Sequence, residues 1–211
     1  MGAPPAMSTL ETPSTGRFEQ TERTTPKRSR ERVTYERADA YRVLDEALFV
    51  DLAFVGPDGA PRVLPTFHVR VGDTLYLHGS TGGSMGLGGS KGFPVSVTAT
   101  VVDGLVFSKS WFHHSMNYRS VVVHADARLI EDPDERWNVF KALIDRFAEG
   151  RSERSREASP KENAASALLA IPLEEVSIKQ RAGGPIEEPE DEDLPFENGV
   201  ANVRTLVTGR L

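Results

Sequence analysis

Two stretches of strict period-two alternation constrain this chain more than any other feature. In Pro94–Val102, Val95, Val97, Ala99 and Val101 fall on one side, and Ser96, Thr98 and Thr100 on the other. Val121–Ile130 repeats the pattern, with Val123, Ala125, Ala127 and Leu129 against His124, Asp126 and Arg128. A period of two is that of a strand with one face buried and one wet, and such strands are found in antiparallel sheets. Turn chemistry agrees. Asp58-Gly59 separates the apolar runs Ala47–Val55 and Arg62–Val71, and Asp103-Gly104 follows the first alternating stretch. Both pairs tolerate positive φ and predict tight hairpins, the second leading into Leu105–Phe112. Val71-Gly72-Asp73 turns the chain into Thr74–His78, and a last strand is predicted over Ala167–Ile178.

Helical signals are few. Asp132-Pro133-Asp134-Glu135 is a helix start, with Trp137, Phe140, Ile144 and Phe147 at helical spacing and Gly150 as the stop. A second helix is predicted over Arg37–Leu48, with Tyr41, Leu44 and Leu48 on one face. Short strands with flanking helices predict a mainly β fold, a small antiparallel barrel. Residues 1–33 carry six bases against four acids, are rich in Ser, Thr and Pro, and read as a disordered arm or one ordered on a partner. Residues 34–184 form the barrel domain. Residues 185–211 carry seven acids against two bases and form an acidic tail, its run from Glu187 to Asp193 reading as a solvated linker.

Several function classes are excluded. The chain has no cysteine, so it has no disulfide framework, thiolate metal site or cysteine nucleophile. With 31 acids against 25 bases the net charge is −6, the wrong sign for a dedicated nucleic-acid binder. No apolar run approaches the ~18 residues of a membrane span, and no secretory leader is visible. A cytoplasmic protein without membrane partners is expected.

Two segments hold chemistry-bearing residues. In Leu75-Tyr76-Leu77-His78-Gly79-Ser80-Thr81-Gly82-Gly83-Ser84-Met85 a strand runs into glycines and hydroxyls, the donors that a phosphate needs, without matching a P-loop. In Ser110–Val121, aromatics are packed with Asn117, Arg119 and Ser120, which suits a planar aromatic ligand. His113 and His114 are adjacent and point to opposite sides if extended, a poor metal pair, so no metal site is expected. The hydrolase nucleophile elbow, the His-Glu-x-x-His zinc motif and the Rossmann glycine signature are absent.

His78-Gly79-Ser80-Thr81-Gly82, Pro94–Thr100, Asp103-Gly104-Leu105-Val106 and especially Phe112-His113-His114-Ser115-Met116-Asn117-Tyr118-Arg119-Ser120-Val121 resemble the pyridoxamine 5′-phosphate oxidase-like flavin-nucleotide-binding proteins. The resemblance spans about residues 25–184. It implies a split barrel that dimerises, with FMN in grooves at the subunit interface. It further implies that Val63, Leu64, Pro65 and Thr66 line the flavin, and that Leu77, His78, Gly79, Ser80, Thr81 and Gly82 flank its ribityl and phosphate. Asn117, Arg119 and Ser120 would form the opposing wall, and His78 would be the acid or base if one acts. One departure stands out: relatives carry Arg at the position of Ser84, and Lys91 is the first cation available to the phosphate. The expected function is an FMN-dependent oxidoreductase acting on a small molecule. A non-catalytic flavin-binding or sensing dimer, or a haem- or deazaflavin-binding relative, is the alternative. The long apolar strands Val121–Leu129 and Ala47–Val55 exceed what one small barrel can cover and predict a homodimer.

Overall fold

The computed structural model describes residues 16–80 and 92–208. Thr81, Gly82, Ser84 and Lys91 lie outside the described residues. In chain order the elements are β1 (Val33–Thr34), α1 (Arg37–Glu46), β2 (Val50–Val55), β3 (Pro61–Thr66), β4 (His68–Val71), β5 (Thr74–Ser80), β6 (Phe93–Phe107) and β7 (Ser115–Leu129). They continue with α2 (Pro133–Asp145), α3 (Pro160–Ala165), β8 (Ser166–Pro172), β9 (Glu175–Arg181) and β10 (Gly199–Asn202). The strand order is β3-β2-β6-β7-β8-β5-β4, with β9 on β7 and β1, and β10 on β6, all antiparallel. β3 and β4 are successive parts of one path broken at Phe67, so the sheet curls into a split barrel. No helix of the described residues is long and apolar enough to cross a membrane.

The barrel interior is the apolar half of each alternating strand. Leu52, Val97, Val121, Val123, Leu77, Ile171 and Ile178 are buried there, with Leu44 and Val43 of α1 as a plug. Burying a side chain of this size contributes about 1.5–3 kcal/mol, which is why the phase of the alternation is fixed. Of the runs Ala47–Val55 and Val121–Leu129, read as too apolar for one barrel, Val50, Leu52, Phe54, Val121 and Val123 turn into this core, while Leu48, Phe49 and Val55 remain exposed.

A second cluster, with Val139 and Leu143 of α2 against Val69, Leu168 and Ala170, seats α2 on the outer face of β4, β5 and β8. Asp132 caps α2 by accepting from Glu135 N, as expected. The buried face is nevertheless Val139–Leu143, while Trp137 and Phe147 of the expected stripe are exposed. Glu135 pairs with Arg128 of β7 instead of reaching back.

Two further expectations are corrected. Asp103-Gly104 is not a hairpin: β6 runs straight through it, paired with β7 along its whole length, and the register shifts between Val102 and Gly104. The pair forms a bulge. A Cβ on Gly104 would stand 3.1 Å from Ala201 O and from Val200 Cγ1, so the glycine admits β10 at that point. The Asp58-Gly59 turn does form, with Gly59 at φ 77° and Asp58 accepting from Ala60 N. Ala167–Ile178 is two strands, split after Pro172 as the chain passes from the β5 side of the barrel to β7. The acidic run is exposed along most of its length, as expected, but it is fastened at its start, where Glu187 accepts from Ser108 Oγ, Lys109 N and Asn198 Nδ2.

From residue 16 onward the N-terminal arm lies on its own barrel. Phe18 is buried edge-on to Tyr41, Phe18 N donates to Tyr35 O, and Arg23 forms a bidentate pair with Glu175.

Candidate functional site

The β6–β7 ribbon carries the site on its outer face. Alternate residues of a strand face opposite ways. Val121 and Val123 are buried in the barrel, so Ser120, Val122 and His124 face outward. Their cross-strand partners continue the same rows: Lys179–Ser120–Thr100, Ser177–Val122–Thr98 and Glu175–His124–Ser96. The last two rows extend through Asp51 and Ala53 of β2 to Pro65 and Val63 of the edge strand β3. This half of the face is polar and rich in hydroxyls.

The Asp103 bulge adds one residue to β6 and reverses the phase of everything beyond it. Val106 therefore turns inward, at 2% exposure, while Leu105 and Phe107 turn out, and Met116 pairs opposite Leu105. Trp111 (96% exposed) and Phe112 (89%) follow in the connection between β6 and β7. The ribbon thus has a polar end and an apolar, aromatic end.

His114 sits at the apolar end. Its Nδ1 donates to Ser110 O at 2.9 Å, and its ring meets Phe107 edge-on at 6.2 Å. That hydrogen bond fixes the tautomer and leaves Nε2 as the lone-pair nitrogen. Ser110 Oγ is buried without a hydrogen-bond partner beside it. At the polar end, Ser96 Oγ lies 2.8 Å from His124 Nδ1. Burial, and then Arg23, hold the His124 pKa below its ordinary value.

The expected site residues divide between different places. Val63, Pro65 and Ser120 share the outer ribbon face, whereas Leu64 and Thr66 of the same tetrapeptide turn toward the barrel interior. Asn117 and Arg119 lie on the opposite face of β7 from Ser120. Arg119 is clamped in two bidentate pairs, to Asp103 at 2.6 and 2.9 Å and to Glu46 at 2.6 and 2.9 Å. Those two carboxylates raise its already high pKa, and Arg119 in turn holds Glu46 below the usual carboxylate range. Asn117 donates to Gly183 O and accepts from Arg181, and Ser120 Oγ donates to Lys179 O. Leu77 is core. His78, Gly79 and Ser80 end β5 two strands beyond β7, with the exposed His78 ring 6.4 Å from Phe140 of α2.

Sequence reasoning missed Arg23, His124, Ser177 and Lys179. Arg23 was hidden in a segment read as a tail. Ser177 and Lys179 had a signal, since they alternate with the apolar Val176 and Ile178.

The family model of pyridoxamine 5′-phosphate oxidase matches residues 36–180. No curated protein sequence matches significantly. Among solved structures, the flavocytochrome Anf3 of Azotobacter vinelandii is similar at 29% identity and a TM-score of 0.82, over 90% of this chain and 88% of that one. The FAD and heme binding protein of Mycobacterium smegmatis is similar at 32% identity and a TM-score of 0.78, over 85% of this chain and 88% of that one. The curled antiparallel sheet, the matched span and these two likenesses lead to one assignment: the chain belongs to the pyridoxamine 5′-phosphate oxidase family, on the flavin-nucleotide-binding split-barrel fold.

Proposed function

We propose that this protein is a flavin-binding redox protein that works as a homodimer. The observation that carries the reading is the two-ended outer face of the β6–β7 ribbon. Its exposed Trp111, Phe112, Leu105, Phe107 and Met116 offer apolar and stacking surface to a tricyclic ring. Its hydroxyls and cations offer what a nucleotide's ribityl chain and phosphate require. Bound flavin would supply the electron and hydride transfer, and the chain's residues would bind and orient it. Trp111 and Phe112 exclude water from the ring, and a second copy of the chain covers the aromatic end, since two-fold pairing buries such a patch on both subunits at once. His78 lies away from the ribbon face, and no proton transfer is assigned to it. FMN was the nucleotide expected from the resemblance. The sequence has no base from Gly82 to Ser90, so the site is better suited to FAD, whose phosphates carry less charge each than a terminal dianion.

Haem is a second bound group in this reading, and the observation favouring it is His114. An imidazole whose Nδ1–H is given to a backbone carbonyl, with its ring edge-on to Phe107, would hold a haem iron through Nε2. The donor set therefore fits haem as well as flavin, and both similar structures, the Azotobacter flavocytochrome and the Mycobacterium protein, are consistent with the pairing.

The test is reconstitution of the purified apoprotein with riboflavin, FMN, FAD and hemin separately, followed by visible spectroscopy and sedimentation velocity. A dimer that retains FAD supports the reading. Retention of no flavin form, or a monomer with flavin bound, overturns it. His114→Ala should abolish a Soret-absorbing complex and leave flavin binding intact.

A further inference from the structure

Between Pro26 and Val33 the arm carries Lys27, Arg28, Arg30 and Arg32 against Glu31 alone. Lys27, Arg28 and Arg30 are exposed, and neither Lys27 nor Arg28 has an ion-pair partner among the described residues. Arg32 reaches its neighbour Glu31 at 3.6 Å. Arg30 also lines a cavity of about 190 Å³ built wholly by residues 20–35, with Pro26, Val33 and Tyr35 as wall. The hydroxyls there are spent: Tyr35 donates to Thr24 O and Thr25 to Thr21 O. Arg30 Nε donates to Pro26 O at 3.2 Å, while Nη1 and Nη2 have no partner among the described residues. The free edge of a guanidinium matches the two oxygens of a carboxylate, and no carboxylate lines the cavity.

The same chain carries the complementary charge. Residues 187–193 hold six acids and no base. Glu187 and Glu188 are engaged, the first by Ser108, Lys109 and Asn198 and the second by His113. Glu190, Asp191, Glu192 and Asp193 have no ion-pair partner among the described residues. Bonds from Asp191 N to Glu188 O and from Leu194 N to Asp191 O fold them into a turn. No ion pair joins the basic and acidic segments within one chain among the described residues, because each is tied to a different place. The arm is held to β9, by Arg23 on Glu175 and by Val33 opposite Lys179. The acidic turn is held to the connection between β6 and β7. Val33 stands on the row of Lys179 and Ser120, and β7 begins at Ser115, ~17 Å further at the rise of a strand.

Two copies stacked on the outer face of the ribbon have a two-fold axis lying between them, and it has two orientations. An axis along the strands sets one acidic turn over the other. An axis across the strands sets each acidic turn over the other copy's arm. Like charges opposed across an interface are disfavoured and opposite charges favoured, so the charge pattern selects the second. We propose that the acidic turn 187–193 of each copy seats on the basic segment 27–32 of the other, with one carboxylate entering the cavity at Arg30. Two-fold symmetry makes the contact twice. The inference rests on the homodimer reading and adds to it the orientation of the pair and the residues that fix it.

Two triple variants test it by sedimentation equilibrium of the purified chain. One reverses the arm, with Lys27→Glu, Arg28→Glu and Arg30→Glu. The other reverses the turn, with Glu190→Lys, Asp191→Lys and Asp193→Lys. An unchanged far-UV spectrum shows that each barrel folds. Alone, each variant should dimerise at least about tenfold more weakly than the native sequence, since like charges then meet at both contacts. Mixed in equal amounts, the two should form a heterodimer of near-native affinity, because both contacts are attractive again. Added salt should weaken the native dimer and narrow its lead over the variants. A control with the same change of charge on the α2–α3 side, Arg151→Glu with Arg154→Glu and Lys161→Glu, should stay within about twofold of native. Variants that dimerise like the native sequence, a mixture that stays monomeric, or a control as weak as the arm variant overturns the proposal and leaves the homodimer standing. A native chain that is itself monomeric overturns both.

Discussion

His68 is wholly buried, with Nε2 donating to Leu44 O at 2.7 Å and Nδ1 unpartnered. Arg146 donates to Leu44 O and Ala47 O, so the two side chains together satisfy carbonyls at the C-terminal end of α1. Burial, chiefly, pushes the His68 pKa down to about 4. Unfolded, it returns to about 6.5, so between those values the unfolded chain binds a proton that the native one refuses. Stability from this residue is therefore complete above about pH 6.5 and is lost progressively toward pH 4. The expected loss between about pH 7.5 and about pH 5 is ~2 kcal/mol. His68→Leu should remove that slope, because Arg146 still serves Leu44 O. Urea unfolding at both pH values measures it, and an unchanged slope in the variant would show that another group is responsible. Arg119 is the second residue whose role its partners define. Its acids are 38% and 47% exposed, so the four hydrogen bonds are partly screened by solvent. Arg119→Met should cost about 1–2 kcal/mol, less in high salt, by the same unfolding measurement.

At the scale of elements, local signals were legible where they involve neighbours in sequence. The Asp132 cap, the Asp58-Gly59 turn and the alternation of β6 and β7 all stand in the structure. What failed depends on distant chain. Asp103-Gly104 looks like a hairpin because nothing nearby tells that β10, some hundred residues on, will lie against Gly104. The α2 stripe was assigned to the largest aromatics, but the surface of β4, β5 and β8 accepts Val139 and Leu143. In the site, the resemblance placed Asn117, Arg119 and Ser120 on one wall, although alternation along a strand already separates residue 120 from 117 and 119. The close approach at the bulge makes a further prediction. Gly104→Val meets Ala201 O and Val200, and should lift β10 from β6 at a cost of about 1–3 kcal/mol. Faster proteolysis after residue 184 is the readout. A tail as resistant as the original would mean that β10 is held by Glu187 and its partners alone.

At the scale of the whole molecule, an aromatic pair as exposed as Trp111 and Phe112 is a cost to a solitary chain and an asset to a paired one. Replacing both with Ser should shift the sedimentation coefficient to that of a monomer and weaken flavin retention, with little change in the far-UV spectrum of the barrel. A dimer that persists would place the interface elsewhere. The bulge at Asp103 has a consequence for how such a surface can change. Either side of it, β6 obeys the same alternation in opposite phase, so the ribbon behaves like a text with a reading frame. A substitution alters one letter. Deleting Asp103 would leave the frame intact, because Val102 and Gly104 already pair with consecutive residues of β7 and Leu105 would stay opposite Met116. The frameshift is a strand that keeps Asp103 but loses the bulge: it would send Leu105 and Phe107 into the barrel, turn Val106 out, and dismantle the aromatic end without changing any residue.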